Sequence, residues 1–280
     1  MMAFSVTDLS PRIGSRIDTD LETMLSGEYA AEIREILERR GVIFFRGIDI
    51  NDEQQFTFTR TFGEVYGDKS GDMYKVSFDK KESPKHWEYT YGTFSWHIDR
   101  TDTDIPPFAT ILTAKRLPGE GGQTQFANTY AAWEDLPQAD KDLIDDLKVV
   151  HTVESSFRES LPNPTPEQQE MLRSHDPKVH PLVWHHKSGR NSLLTSTSAM
   201  SVVGMDEDEG RALLDRMIAW ATQPQYVYSH EWQLGDIVMW DNTGVMHRVI
   251  PYPEGSTRLL HRTTVTGYEP FDTRKELELQ

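Results

Sequence analysis

Four short runs between residues 225 and 267 constrain the fold more than any other feature of the chain. "QYVYSHEW", "DIVMWDN", "HRVI" and "RLLHRTTVTG" are rich in β-branched and aromatic residues and are separated only by turns. Similar runs occur upstream: "VIFFRG" (42–47), "PFATILTAKRL" (107–117), "QTQFAN" (123–128) and "KVVHTV". "HPLVWHH" and "NSLLTST" flank "KSGR" as a hairpin. Many short strands at close spacing, interrupted by a few helices, predict a mainly β chain with helical additions. The expected core is a double-sheet jelly roll, a double-stranded β-helix.

Helical periodicity covers residues 20–40, where Leu21, Leu25, Tyr29, Ile33, Ile36 and Leu37 form one stripe ahead of Gly41. A second helix fits "NDEQQFTFTRTFG", with Asn51 as its N-cap and Gly63 as its stop. "AAWEDLPQADKDLIDDL" and Asp206–Gln223 read as two more, the latter with acidic residues in its first turn, where the helix dipole favours them. Residues 64–95 form a long aromatic-rich segment, and 155–179 a polar, proline-containing loop. Segments of this kind in compact domains often carry function. The reading is one catalytic domain over 1–280 with two lid-like segments.

A net charge of −16 argues against nucleic acid as a partner, since little here would neutralise a phosphate backbone. An anionic small molecule would have to be held by locally placed Arg or Lys. The absence of cysteine excludes disulfides and thiolate metal sites, so a metal must use His and carboxylates. No leader-like N-terminus and no apolar run near ~18 residues is present, which predicts a cytoplasmic protein with no membrane partner. Homo-oligomerisation is left open.

"SWHIDRTD" (95–102) places His97 and Asp99 two positions apart. On a strand, such residues share a face and could chelate one ion together. "HWE", with His86 and Glu88, has the same spacing. Non-heme iron oxygenases use two His and one carboxylate on one face of the metal, so another His must come from elsewhere. "GVMHRVIPYPEGSTRLLHRTTV" supplies His247, then Arg258 and Arg262; a guanidinium so placed suits a cosubstrate's distal carboxylate.

At these motifs the chain resembles the taurine dioxygenase/TfdA-like family of Fe(II)- and 2-oxoglutarate-dependent oxygenases. The resemblance runs through "WHIDRTDTDIPPFATILTAKRLPGEGGQTQFANTYAAWEDLP", "WDNTGVMHRVIPY" and "RLLHRTTVTGYEP", and more weakly through "GVIFFRG", "FTRTFGEV" and the hairpin. It implies that His97, Asp99 and His247 ligate Fe(II), and that Arg258 binds the C5 carboxylate of 2-oxoglutarate with help from the Thr124 hydroxyl. It further implies that Trp240 lines the pocket near the metal. His86 and Glu88 lie outside the family motif. Arg262 would meet an anionic substrate group or the cosubstrate; the alternative is a structural ion pair. Most of His151, His180, His185, His186, His230 and His261 read as hydrogen-bonded strand residues, and Asp241 and Asn242 as supports for the turn before His247.

The implied activity is O2-dependent hydroxylation of a substrate C–H bond, coupled to decarboxylation of 2-oxoglutarate to succinate and CO2. Desaturation or another biosynthetic outcome of the same chemistry, and a non-catalytic cupin-like binding protein, are the alternatives. The segment before His97 resembles neither the taurine nor the aryloxyalkanoate enzymes. Its aromatic content favours a small apolar or aromatic substrate, with an acid group if Arg262 serves it.

Overall fold

The computed structural model describes residues 4–67 and 72–272. A seven-stranded sheet runs in the order β1 (Ser5–Asp8), β2 (Ser15–Asp18), β3 (Val42–Phe45), β13 (Ile237–Asp241), β5 (Ala109–Arg116), β15 (Leu259–Val265), β4 (Tyr74–Val76). Across from its centre lies a three-stranded sheet in the order β12 (Val227–His230), β6 (Thr124–Asn128), β14 (Val245–Val249). A further sheet joins β11 (Ala199–Val202), β7 (Lys148–His151) and β8 (Lys178–Pro181), and β9 (Val183–His185) pairs with β10 (Asn191–Leu193) as the expected hairpin. This is the strand-rich, helix-decorated jelly roll that the sequence predicts.

Strand alternation sets the layers. Ile237 and Met239 of β13, with Ile43, Phe45 and Ile111, meet Met24 of α1 (Leu21–Ser26), Ile33 and Leu37 of α2 (Ala30–Arg40) and Phe58 of α3 (Asp52–Arg60). Val238 and Trp240 point the opposite way and join Phe44, Leu112 and Leu260 against Phe126 and Val245 of the smaller sheet. Each such side chain, fully buried, contributes about 1.5–3 kcal/mol. The outer side of the smaller sheet, at Ala127 and Met246, is covered by Leu213, Leu214 and Met217 of α8 (Glu207–Ala221) and by Trp184 of the hairpin.

Several boundaries differ from the sequence reading. The stripe over 20–40 is two helices, because Gly27 adopts a left-handed conformation (φ 75°) that ends α1. "AAWEDLPQADKDLIDDL" also divides, into α4 (Thr129–Glu134) and α5 (Gln138–Ile144), with Pro137 at the N-cap of the second; proline there cannot continue the preceding helix. Asn51 caps α3 in a full capping box, but the helix ends at Arg60, ahead of Gly63.

The 155–179 segment is not a plain loop. α6 (Val153–Phe157) runs into its start, and it holds α7 (Pro166–Arg173), launched by a Thr165–Gln168 capping box with Pro166 in the first turn. Within 64–95, β4 extends the large sheet and Trp87–Phe94 forms a 3-10 helix; residues 68–71 lie outside the described residues. The two segments touch. Tyr89 meets Phe157 edge-on at 6.2 Å, and Gln168 Nε2 donates to Glu88 at 3.1 Å. Phe78 packs on Tyr252 with Trp87, Tyr91 and Phe94 around them, so these aromatics form a satellite core. Among the described residues, no helix is long and apolar enough to cross a membrane.

Candidate active site

The inner face of β14 presents Val245, His247 and Val249 between the sheets. His97 reaches it through an isolated antiparallel bridge: each histidine's N–H donates to the other's carbonyl, at 3.0 and 2.9 Å. His97, Ile98 and Asp99 thus do not form the regular strand expected from their spacing. The extended geometry lasts long enough to bury Ile98 with Trp96, Ala127 and Met246, leaving His97 and Asp99 on the other side. The chain then turns at Arg100, whose φ of 62° is unusual for a side-chain-bearing residue. Arg100 is a turn residue, paired with Asp102 at 2.8 Å and lying 5.7 Å from the Tyr66 ring.

Ligand-competent atoms of His97, Asp99 and His247 lie within 4.8 Å of one another, the one such group of three found among the described residues. His97 Nδ1 sits 2.8 Å from the Ser95 carbonyl, which requires the proton there and leaves the Nε2 lone pair free. His247 Nε2 is 3.8 Å from Asp99 Oδ1, and its ring lies 4.5 Å from Trp240 and 6.3 Å from Phe126. Burial lowers the pKa of both histidines and keeps them neutral. Burial alone would raise that of Asp99, but the Arg262 guanidinium beside it, helped by the Thr110 hydroxyl, outweighs burial and holds the carboxyl below its usual range.

The rest of Asp99 is fixed by its neighbours. Oδ2 accepts from Thr110 Oγ1 at 3.0 Å and Arg262 Nη2 at 2.7 Å, leaving Oδ1 toward His247. Asn242 grips the backbone: its Oδ1 accepts from Asp99 N–H at 3.0 Å, and its Nδ2 donates to the carbonyls of Asp99 and Pro107. Next to it, Asp241 Oδ1 accepts from Thr243 N and Oγ1. Two neutral imidazoles and one ionised carboxylate fit the donor set of a non-heme Fe(II) site.

Arg258 is fully buried. Its Nη2 donates to the Gly122 carbonyl at 3.2 Å, while Nε and Nη1 are buried without a hydrogen-bond partner. Burial pushes its pKa down, with Tyr252 opposing from 4.9 Å. An isolated buried cation is costly, so these open donors fit a carboxylate. Gly122 is required beside it: φ is +79°, and a Cβ would come within 3.2 Å of Arg258 Nε. Thr124 Oγ1 accepts from Trp232 Nε1 at 3.0 Å, which frees the hydroxyl proton to donate elsewhere. Trp232, Thr110 and the exact grip of Asn242 were not read from the sequence, and no spacing rule points to the first two.

Arg262 lies on the inner face of β15, bonded to Asp99 and opposite Tyr74 of β4 in the strand register. Its side chain keeps 23% exposure, so it borders both the metal group and solvent. Trp240 is buried on β13 against His247 and has no partner for its Nε1. His86 and Glu88 stand outside the group: His86 stacks on Tyr74 at 5.1 Å and Glu88 takes Gln168. Elsewhere, His151 meets Ser198, His180 the Thr101 carbonyl, His186 Ser192, His230 Asp236 and His261 Asp52.

Two imidazoles and a carboxylate gathered against the smaller sheet, together with a buried guanidinium that has no carboxylate partner among the described residues, fit the class of non-heme iron, 2-oxo-acid-dependent oxygenases. Residues 5–264 match the family described as taurine catabolism dioxygenase TauD, TfdA family, and the chain belongs to it. It is 30% identical to the alpha-ketoglutarate-dependent 2,4-dichlorophenoxyacetate dioxygenase of Burkholderia sp. (strain RASC), covering 95% of each chain. The alkylsulfatase of Acinetobacter baylyi is 29% identical, over 92% of this chain and 84% of that one. Among solved structures, AAD-2 in complex with Mn(II) and N-oxalylglycine superposes with a TM-score of 0.82 at 33% identity, covering 96% and 100% of the two chains. A taurine dioxygenase from Burkholderia xenovorans gives 0.75 at 30% identity, covering 95% and 92%. The protein is therefore a 2-oxoglutarate-dependent dioxygenase that uses Fe(II), 2-oxoglutarate and O2 on a small-molecule substrate. The non-catalytic alternative falls away.

Proposed function

We propose that the enzyme hydroxylates a C–H bond of a small organic acid with an apolar or aromatic body, coupled to conversion of 2-oxoglutarate to succinate and CO2. His97, Asp99 and His247 hold Fe(II). Arg258 and the Thr124 hydroxyl receive the distal carboxylate of 2-oxoglutarate, and Trp240 buttresses His247 on the pocket wall. When bound, the iron and the 2-oxo acid together activate O2 to attack the C–H bond. The protein orients both partners and excludes water with the 155–179 segment and the described part of the 64–95 segment, which form the lid of one catalytic unit.

The observation that carries this reading is the pair of open nitrogens on buried Arg258, close in space to the Gly122–Thr124 turn that it touches although the two are far apart in the chain. The acid preference rests on Arg262, which keeps part of its surface exposed, and on the Tyr74 ring 5.8 Å from its guanidinium with His86 stacked on it. Relatives named for 2,4-dichlorophenoxyacetate and (S)-phenoxypropionate support an aromatic acid. Pentalenolactone F synthase of Streptomyces arenae, 26% identical over 92% of this chain, favours keeping a biosynthetic outcome as the second reading.

The test is anaerobic addition of Fe(II) and 2-oxoglutarate, followed by a panel of aryl, alkyl and sulfonic acids scored by succinate release and product mass. The expected results are a weak visible charge-transfer band that His97→Ala and Asp99→Ala abolish, and a gain of one oxygen in an acidic product. Arg262→Ala should raise KM for that acid while 2-oxoglutarate still binds. A band untouched by the ligand substitutions overturns the iron assignment; loss of two hydrogens from the product replaces hydroxylation with desaturation.

A further inference from the structure

Behind the iron-binding residues lies a buried polar cluster in "TSTS" (195–198), which the chemistry above does not use. The stretch that carries His97 and Asp99 has little ladder support of its own: one bridge to His247, then the left-handed turn at Arg100. From the side of β13 it is held by Asn242. On its other flanks it is held by Thr197 and Ser198.

Thr197 donates twice to one acceptor. Its backbone N–H and its hydroxyl reach the carbonyl of Trp96, the residue before His97, at 2.9 and 3.0 Å. Ser198 Oγ accepts from the Thr101 hydroxyl, two residues past Asp99, at 3.0 Å. It is itself fixed by Ser196 Oγ at 2.6 Å and His151 Nδ1 at 2.8 Å, and its carbonyl accepts from Thr152 N–H at 3.0 Å. His180 Nε2 adds a bond to the Thr101 carbonyl at 2.9 Å. Burial keeps His151 neutral, with its pKa down at about 3. Thr197 and Ser198 are 5% and 2% exposed, so water does not replace a bond that is lost.

We infer that Thr197 and Ser198 are positioning residues that bracket the His97–Asp99 stretch and set the separation of its two ligand atoms. This rests on the reading that those residues hold Fe(II). Metal sites accept ligand distances within roughly 0.2 Å, so a stretch released at Trp96 or Thr101 binds the ion less well even though no ligand atom has been removed. Removing a partner that orients a metal ligand weakens metal binding by about 10–100-fold.

The experiment uses the full chain, freed of metal, with Thr197→Val, Ser198→Ala and Ser198→Thr. Thr59→Val is the control, because Thr59 is also buried and its hydroxyl bonds Gln55 and Thr263 and no residue of the stretch. Fe(II) affinity is titrated anaerobically, the charge-transfer band of the 2-oxoglutarate complex is recorded, and the metal-free melting temperature is measured. Thr197→Val and Ser198→Ala should weaken Fe(II) about tenfold and shift the band, and Ser198→Thr should restore both. Thr59→Val should lower the melting temperature without moving either. Thr197→Val keeps the backbone donor and decides the matter if Ser198→Ala does not fold. Fe(II) affinity within about twofold of wild type and an unmoved band overturn the inference, as does an equal loss in Thr59→Val. His97→Ala separates the two levels: if it binds Fe(II) normally the iron reading fails, whereas normal binding by Thr197→Val beside a dead His97→Ala removes the positioning role alone.

Discussion

Arg258 places a guanidinium against the Gly122 carbonyl, on Nη2, and against Tyr252, with no carboxylate paired to it among the described residues. A cation left in that condition destabilises the ligand-free fold, and under the assignment proposed above the same imbalance would drive binding of the 2-oxoglutarate dianion. Arg258→Met should therefore raise the melting temperature of the ligand-free protein and cancel the stabilisation by 2-oxoglutarate, with a binding loss of about 2–5 kcal/mol. Calorimetric titration and thermal shift check both halves. Asp241 has the opposite character: burial, against the Thr243 hydrogen bonds, raises its carboxyl to about 7, above its value of about 3.9 in the unfolded chain. Below both values the group adds no pH dependence; as pH rises through that window the unfolded chain releases a proton the folded one keeps, and stability falls. Asp241→Asn should lose this decline, so its melting temperature should gain on wild type between pH 5 and 8; parallel curves would refute the assignment. The spacing of His97, Asp99, His247, Arg258 and Arg262 is legible in the sequence because short motifs carry it. Thr110, Trp232 and Ser198 are not, because they act through hydrogen bonds between residues far apart in the chain whose spacing nothing local fixes.

At the scale of elements, the strands around the site are legible because the two sheets demand strict alternation, as in Ile237, Val238, Met239 and Trp240. Helix ends are less so. The apolar stripe from Leu21 to Leu37 continues past Gly27 although the helix does not, and the proline-rich surroundings of α7 conceal the Thr165–Gln168 box that starts it. The turn between β13 and β14 is the most confined element near the ligands: a Cβ on Gly244 would fall 1.7 Å from the Tyr130 ring. Gly244→Ala should destabilise by about 1–3 kcal/mol or more, since a buried ring must move. Combining it with Tyr130→Leu should recover part of the loss, and a chemical-denaturation cycle over the four proteins measures that coupling.

For the molecule as a whole, the charge of −16 opposes the approach of any organic dianion, and the positive groups at the site act only at short range. Raising ionic strength from roughly 0.01 to 0.15 M shortens the reach of that field from about 30 to about 8 Å. Stopped-flow association of 2-oxoglutarate with the Fe(II) protein should quicken with salt over this range; a slowing would mean that local arginines dominate the encounter. The jelly roll itself is legible from strand count and spacing, while the mutual docking of the 64–95 and 155–179 segments depends on single contacts such as Tyr89 with Phe157.

The bridge between His97 and His247 has a consequence for the chain's disorder rather than its chemistry. The two residues enclose more than half of the sequence, yet their backbones exchange two hydrogen bonds. An ion gripped by both side chains ties that long segment into a ring, as a disulfide would in a protein that possessed cysteine. The gain from such a tie grows only slowly with ring size but starts large, and it is reversible by chelation. Iron supply would then govern how firmly the whole barrel is closed as well as whether it can oxidise anything.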